Sequence, residues 1–143
     1  MGTRRKSREL ALQMLFQHDL SGNSPEAIIG SFDELARVRG SARQFAERLF
    51  RGTLDHVDEI DDLIRQQADN WRLSRMAVVD RNILRMSLFE LRFLKETPPL
   101  VIVDEAIEIA KRFGNERSSQ FVNGILDGIL KRYNPEETTR AER

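Results

Sequence analysis

Apolar side chains recur every three or four residues along nearly the whole chain, and the densest such run, at residues 76–95, predicts a central helix. Wound at about 100° per residue, its Val79, Ile83, Leu84, Met86, Phe89, Leu91, Phe93 and Leu94 fill an arc of roughly 220°. Arg81, Arg85, Arg92 and Lys95 are confined to the remaining stripe. A helix this apolar needs neighbours on at least two sides, which makes it the axis of an all-α domain. Glu90 interrupts the arc between Met86 and Leu94, and a buried carboxylate is costly unless hydrogen-bonded. It can cap a neighbouring helix N-terminus or act as a catalytic acid of raised pKa. No second catalytic group accompanies it, which favours the cap.

The same period places the other elements. A first helix over residues 3–18, capped by Thr3, offers Leu10, Ala11, Met14 and Leu15 to a core. Phe16 points about 100° away from Leu15, on the side of Arg5 and Leu12, and core packing against the next helix is its ordinary use. After the turn at Ser21-Gly22-Asn23, Ser24-Pro25 opens a stripe of Ile28, Ile29, Phe32 and Leu35 that ends near Gly40. Ser41 and Gln44 form a capping box ahead of Phe45, Leu49 and Phe50. The pattern weakens at Gly52-Thr53 and resumes with Val57, Ile60, Leu63 and Ile64, as one kinked helix or two.

Asn70-Trp71-Arg72 breaks the period, and Ser74 can cap a short turn into the central helix. Thr97-Pro98-Pro99 ends that helix, since neither proline has an N–H. Two helices follow. One holds Val103, Ala106, Ile107 and Ala110 and stops at Phe113-Gly114; the other holds Phe121, Val122, Ile125, Ile129 and Leu130 and stops before Pro135. Residues 136–143 read as a charged, frayed tail. Gly124 and Gly128 lie inside the last helix, where each costs about 1 kcal/mol relative to alanine. Their four-residue spacing points to close helix–helix approach, with a ligand-contacting glycine as the weaker alternative. No strand pattern or internal repeat is present.

Length and charge narrow the class. The 143 residues fit one domain. The 23 basic and 23 acidic residues cancel, so only their distribution is informative. Arg4, Arg5, Lys6 and Arg8 crowd the start, whereas Asp55, Asp58, Glu59, Asp61, Asp62 and Asp69 surround Arg65 alone. There is no cysteine, so no disulfide, thiolate nucleophile or cysteine-bound zinc. No apolar run resembles a secretory signal or membrane span, which points to a soluble cytoplasmic protein with no membrane partner.

Catalytic chemistry finds little to stand on. His18 and His56 lack any metal-ligand spacing and read as surface or half-buried histidines. No phosphate-binding or nucleophile-elbow motif is present, and the acidic run around Asp61 lacks the glycine and glutamate of a calcium loop, leaving a solvated helix face. No catalytic residue, metal or cofactor is expected. Binding remains. The basic leader is either a solvated terminus or an RNA contact. Lys111, Arg112 and Arg117 form a second cationic group around Phe113-Gly114-Asn115. Folding that brought this turn beside the first helix would flank Phe16 and Phe113 with cations, a surface suited to single-stranded nucleic acid.

Several segments resemble a known family. DEAIEIAKRFG at 104–114 and QFVNGILD at 120–127 are similar to the NEAIELAK-x-FG and KFVNGVLD signature of the NusB family of bacterial transcription antitermination factors. Further matches run from Arg8-Glu9 to Leu15-Phe16 and from Val79-Asp80-Arg81 to Glu90-Leu91. The likeness covers nearly the whole chain, in order.

That resemblance implies about seven helices in two small bundles packed at an angle, the first over about 3–68 and the second over about 72–134. It implies a non-enzymatic factor that binds boxA RNA of ribosomal RNA transcripts with NusE, a small-subunit ribosomal protein, within an RNA polymerase antitermination complex. It assigns Arg4, Arg5, Lys6, Arg8 and Phe16 to RNA and Asp80 to NusE, while the charge pattern adds the turn residues Lys111, Arg112, Phe113 and Arg117, with Gln120, to the expected RNA surface. Gln120 stands in place of the family's lysine, Arg117 where an aspartate can occur, and Asp104 in place of asparagine. Affinity and RNA preference are therefore expected to differ. A homodimer burying the RNA surface is a possible free state. The alternatives are a NusB-like domain of a ribosomal RNA 5-methylcytosine methyltransferase, for which the cofactor strand and nucleophilic cysteine are missing, or a helical dimerisation module binding only protein.

Overall fold

In the computed structural model, which describes residues 3–68 and 73–133, every regular element is helical. The order is α1 (Thr3–Ser21), α2 (Pro25–Ser31), α3 (Asp33–Ala36), α4 (Gly40–Asp55), α5 (Val57–Gln67), a 3-10 turn (Leu73–Arg75), α6 (Val78–Phe89), a π-helical turn (Glu90–Leu94), α7 (Pro99–Phe113) and α8 (Glu116–Tyr133). The expected break at Asn70-Trp71-Arg72, the tail at 136–143 and position 134 lie outside the described residues. The chain divides into two compact units, Met1–Asp55 and His56–Arg143.

In the first unit α1 packs along α4 and α2. Leu10, Ala11, Met14 and Leu15 are buried as their spacing predicts, with Phe45, Ala46, Leu49 and Phe50 of α4 completing the core. Ser7 is fully buried, its hydroxyl 2.8 Å from the Ala42 carbonyl and 2.9 Å from that of Thr3, so one hydrogen bond can tie the starts of α1 and α4 together. Ser24 caps α2, accepting from the Ala27 N–H at 3.2 Å, with Pro25 in the first turn.

Two expectations fail locally in this unit. The stripe from Ile28 to Leu35 is two helices, because Phe32 is extended (φ −87°, ψ 100°) after Gly30 and Ser31, both poor helix formers. Gly40, with φ +63°, opens α4 one residue ahead of Ser41, so the Ser41–Gln44 box lies inside the helix. Glycine takes that left-handed conformation at little cost. The open question at Gly52-Thr53 is answered by two helices. α4 runs unbroken to Asp55, Thr53 donating its hydroxyl to the Leu49 carbonyl, and the break falls at His56 (φ −113°, ψ 17°).

In the second unit α6 is the axis, packed against α5, α7 and α8. Ile83, Leu84, Met86 and Leu88 are buried at 0–1% exposure, with Ile60 and Ile64 of α5, Ile109 and Ala110 of α7, and Val122, Leu126 and Leu130 of α8. α5 therefore belongs with this unit, and the division falls at Asp55 and His56 rather than after residue 68. Asp61 corrects another expectation. It does not join the solvated acidic face but is buried, ion-paired to Arg85 of α6.

The central helix departs from a uniform period at its end. The Lys95 N–H donates to the Glu90 carbonyl at 3.0 Å, an i to i+5 bond, and Lys95 closes the turn with φ +57°. This wider turn rotates the following side chains. Phe93, expected in the apolar arc, is 37% exposed and stacks on His56 with centroids 4.0 Å apart. Glu90 is buried, at 1% exposure.

Gly114, between α7 and α8, is required by close approach, since a Cβ there would strike the Ser118 side chain. Asn115 caps α8, accepting from the Ser118 N–H at 2.9 Å. At Gly128 the Gln67 side chain occupies the space of a Cβ, as close approach predicts. Gly124 does not follow. A Cβ there would meet nothing within 4 Å, because this side of α8 is exposed.

Candidate nucleic-acid interface

The leader cations are not equivalent once α1 is formed. Lys6 and Arg4 are exposed and Arg5 is half-buried, but Arg8 is only 5% exposed. The cause is Phe45 of α4. Arg4 lies over its ring at 4.0 Å and Arg8 at 5.3 Å, so α1 carries two guanidinium groups onto one aromatic face. Arg8 is thus buried inside the unit, whereas Arg4 and Lys6 reach solvent and Arg5 is half-buried.

Phe16 is not a core residue. It is 37% exposed, and Leu20, one turn later, is 66% exposed. Two large apolar side chains at i and i+4 thus make an open stripe on α1. Leu20 was not considered in the sequence, where the first helix was expected to stop at 18 rather than at Ser21; its i+4 relation to Phe16 is the signal that could have found it.

The second cationic group is built by the turn between α7 and α8. Lys111 and Arg112 occupy the last turn of α7, where the helix dipole favours cations. Both are exposed; Lys111 sits 3.8 Å from Glu108, and the Arg112 guanidinium lies 5.6 Å from the centre of the half-buried Phe113 ring. Arg117 and Gln120 are exposed on the first two turns of α8. The α7–α8 turn offers guanidinium groups, an aromatic ring and an amide, and no metal-ligand cluster is found among the described residues.

Asp80 lies at the start of α6, only 9% exposed, and faces a cavity of about 340 Å³. Arg75, Met76, Ala77, Asn115, Arg117, Ser118 and Phe121 line the rest of it. The Asp80 Oδ1 is enclosed without a hydrogen-bond donor among the described residues. Asp80, expected to meet protein, and Arg117, expected to meet RNA, therefore share one cavity. Arg75 was not singled out from the sequence, and Asn115 and Phe121 were read there only as a turn residue and a core residue, because only the packing of the 3-10 turn and α8 beside α6 assembles them.

The described residues form an all-helical fold that carries exposed cations and aromatic side chains. Its residues 5–131 match the NusB family, and the chain belongs to that family. It is 46% identical over 138 residues to the transcription antitermination protein NusB of Desulfitobacterium hafniense, covering 94% of this chain and 93% of that one. The corresponding protein of Koribacter versatilis is 43% identical, covering 98% and 97%. Among solved structures, T. maritima NusB superposes with a TM-score of 0.83 at 42% identity, covering 96% of each chain. A chain from a crystal structure of the antitermination factors NusB and NusE with dsRNA gives 0.84 at 30% identity, covering 93% of this chain and 99% of that one. The chain is thus a non-enzymatic transcription antitermination factor. No helix among the described residues is long and apolar enough to cross a membrane.

Proposed function

We propose that this factor binds boxA-type single-stranded RNA of ribosomal RNA transcripts together with NusE, a small-subunit ribosomal protein, and so joins an RNA polymerase antitermination complex in the cytoplasm. The observation that carries the RNA reading is a set of exposed or half-buried cations and rings on each unit. Arg4, Arg5 and Lys6 with Phe16 lie on α1, and Lys111, Arg112, Phe113, Arg117 and Gln120 lie around the α7–α8 turn. Guanidinium and ammonium groups meet phosphates while rings stack on unpaired bases. The relative solved with NusE and dsRNA supports the same pairing of ligands. When RNA is absent, the exposed Phe16 and Leu20 can also serve a homodimer.

A gel-shift series with boxA and scrambled RNA, each with and without NusE, tests this. Tighter binding of boxA, strengthened by NusE, supports the function; equal binding of both RNAs in both conditions refutes it. Light scattering with and without RNA reports the homodimer, which should dissociate when RNA is added.

A further inference from the structure

The Asp80 cavity holds a combination of groups that the fold itself does not satisfy. The Asp80 side chain is nine-tenths buried, and its Oδ1 has no hydrogen-bond donor among the described residues. Two exposed arginines, Arg75 and Arg117, line the same cavity. Leaving a buried charge unpaired is costly, and the arrangement persists although opposite charges are near at hand. A ligand that supplied donors to Asp80 and negative charge to the arginines would satisfy both.

That requirement separates the candidate ligands. A lysine or arginine of a protein partner would pair with Asp80 but crowd two further cations. An acidic peptide would pair with the arginines but add like charge beside the aspartate. A nucleotide carries both kinds of group at adjacent positions, a base edge with N–H donors and a phosphate. An ionised carboxylate only accepts, so among the bases it is best matched by guanine, whose N1–H and N2–H donors lie side by side. Phe121, Met76 and Ala77 give the apolar walls against which a base can lie, and Asn115 and Ser118 add polar side chains. The volume, about 340 Å³, falls within the span of small-ligand pockets, about 300–1,000 Å³.

We infer that this cavity, on the second unit, is a guanine-selective nucleotide pocket, with Asp80 accepting from the base edge and Arg75 and Arg117 contacting phosphate. The inference rests on the RNA-binding reading and deepens it by giving one nucleotide a specific seat. It also departs from the family resemblance, which assigns Asp80 to the protein partner.

The test uses fluorescence anisotropy with short oligouridines carrying one central guanosine, inosine or adenosine. The intact chain is compared with Asp80→Asn and Arg117→Ala, each checked by melting. Guanosine should be preferred to adenosine by about tenfold, the value of one good two-pronged base contact. Inosine, which lacks the N2 donor, should fall between, a comparison that needs no variant to fold. Asp80→Asn should abolish the preference while retaining the weaker binding, and Arg117→Ala should weaken all three oligonucleotides alike. Equal affinities for guanosine and adenosine, with binding intact, would overturn the pocket while leaving the RNA function standing. An Asp80→Asn chain that kept the preference but lost capture of NusE would reassign the cavity to protein. Failure to bind any of the three oligonucleotides would overturn the pocket, while the boxA gel shift with NusE decides the RNA function.

Discussion

Asp61 of α5 and Arg85 of α6 meet in a two-pronged ion pair, Nε to Oδ1 at 2.8 Å and Nη2 to Oδ2 at 2.9 Å. Both side chains are largely buried, at 11% and 15% exposure, so water screens the pair weakly. Asp61→Ala should leave Arg85 a buried charge with its carboxylate removed, costing about 3 kcal/mol. Asp61→Leu with Arg85→Met should recover most of that loss, because similar apolar volume replaces two desolvated ions. Urea unfolding of the three chains measures this; equal stability of single and double variants would show that the pair is not coupled.

The leader should contribute less to RNA binding than its four cations suggest. With Arg8 held over Phe45, three remain, and each phosphate neutralised on a single strand contributes about −0.7 to the log–log salt slope. Replacing Arg4, Arg5 and Lys6 by alanine should therefore reduce the slope's magnitude by about 2. Arg8→Ala should chiefly lower the melting temperature. A larger slope change from Arg8→Ala than from Lys6→Ala would contradict this division of roles.

Phe16 gives a cleaner separation of binding from folding. Stacking of one base on an aromatic ring is worth about 1–3 kcal/mol, whereas this ring is already substantially exposed in the folded chain. Phe16→Ala should weaken RNA binding roughly tenfold, following that energy, and change thermal stability little. Unchanged RNA affinity would take Phe16 out of the interface.

The two helical glycines should respond differently to alanine. At Gly124 the added methyl meets open space, so improved helix propensity should stabilise the chain by about 0.5–1 kcal/mol. At Gly128 it meets the end of the Gln67 side chain, which must move, offsetting the gain. Calorimetry should find a raised melting temperature for Gly124→Ala and little change for Gly128→Ala.

Glu26 should contribute a small acid-sensitive stabilisation. Its own backbone N–H first, and Arg51 second, hold its pKa below the ordinary 4.5; the Arg51 Nη1 lies 2.9 Å from Oε1. A group whose folded pKa is depressed adds stability above its unfolded value, and that stability fades as pH falls through the folded one. Glu26→Gln should thus be slightly less stable than the unaltered chain at neutral pH. The two should converge below about pH 4.5, which pH-dependent melting reads directly.

Several positions show how far the chain's own pattern reaches. Leu10, Ala11, Met14 and Leu15 are buried as their spacing requires, since that spacing is a local property of one helix. Phe93 is not, because a single π-helical turn shifts everything after it. Asp61 belongs to a run that looks solvated, and only the approach of Arg85 explains its burial. Phe16 passes for a core residue until the rest of its unit is folded without covering it. Arg8 has the composition of an RNA contact and the environment of a packing residue.

The order of residues alone determined that the chain is all-helical, where most helices start and stop, and which family it joins. These follow from periodicity, proline and glycine placement, and motif, all of which act over a few residues. Tertiary packing decided which charges remain available. It buried Arg8 beside Phe45, paired Asp61 with Arg85, and set Asp80 beside Arg75 and Arg117 in one cavity. A charge's solvation depends on whatever surface lies across from it, and that surface comes from residues distant in the chain.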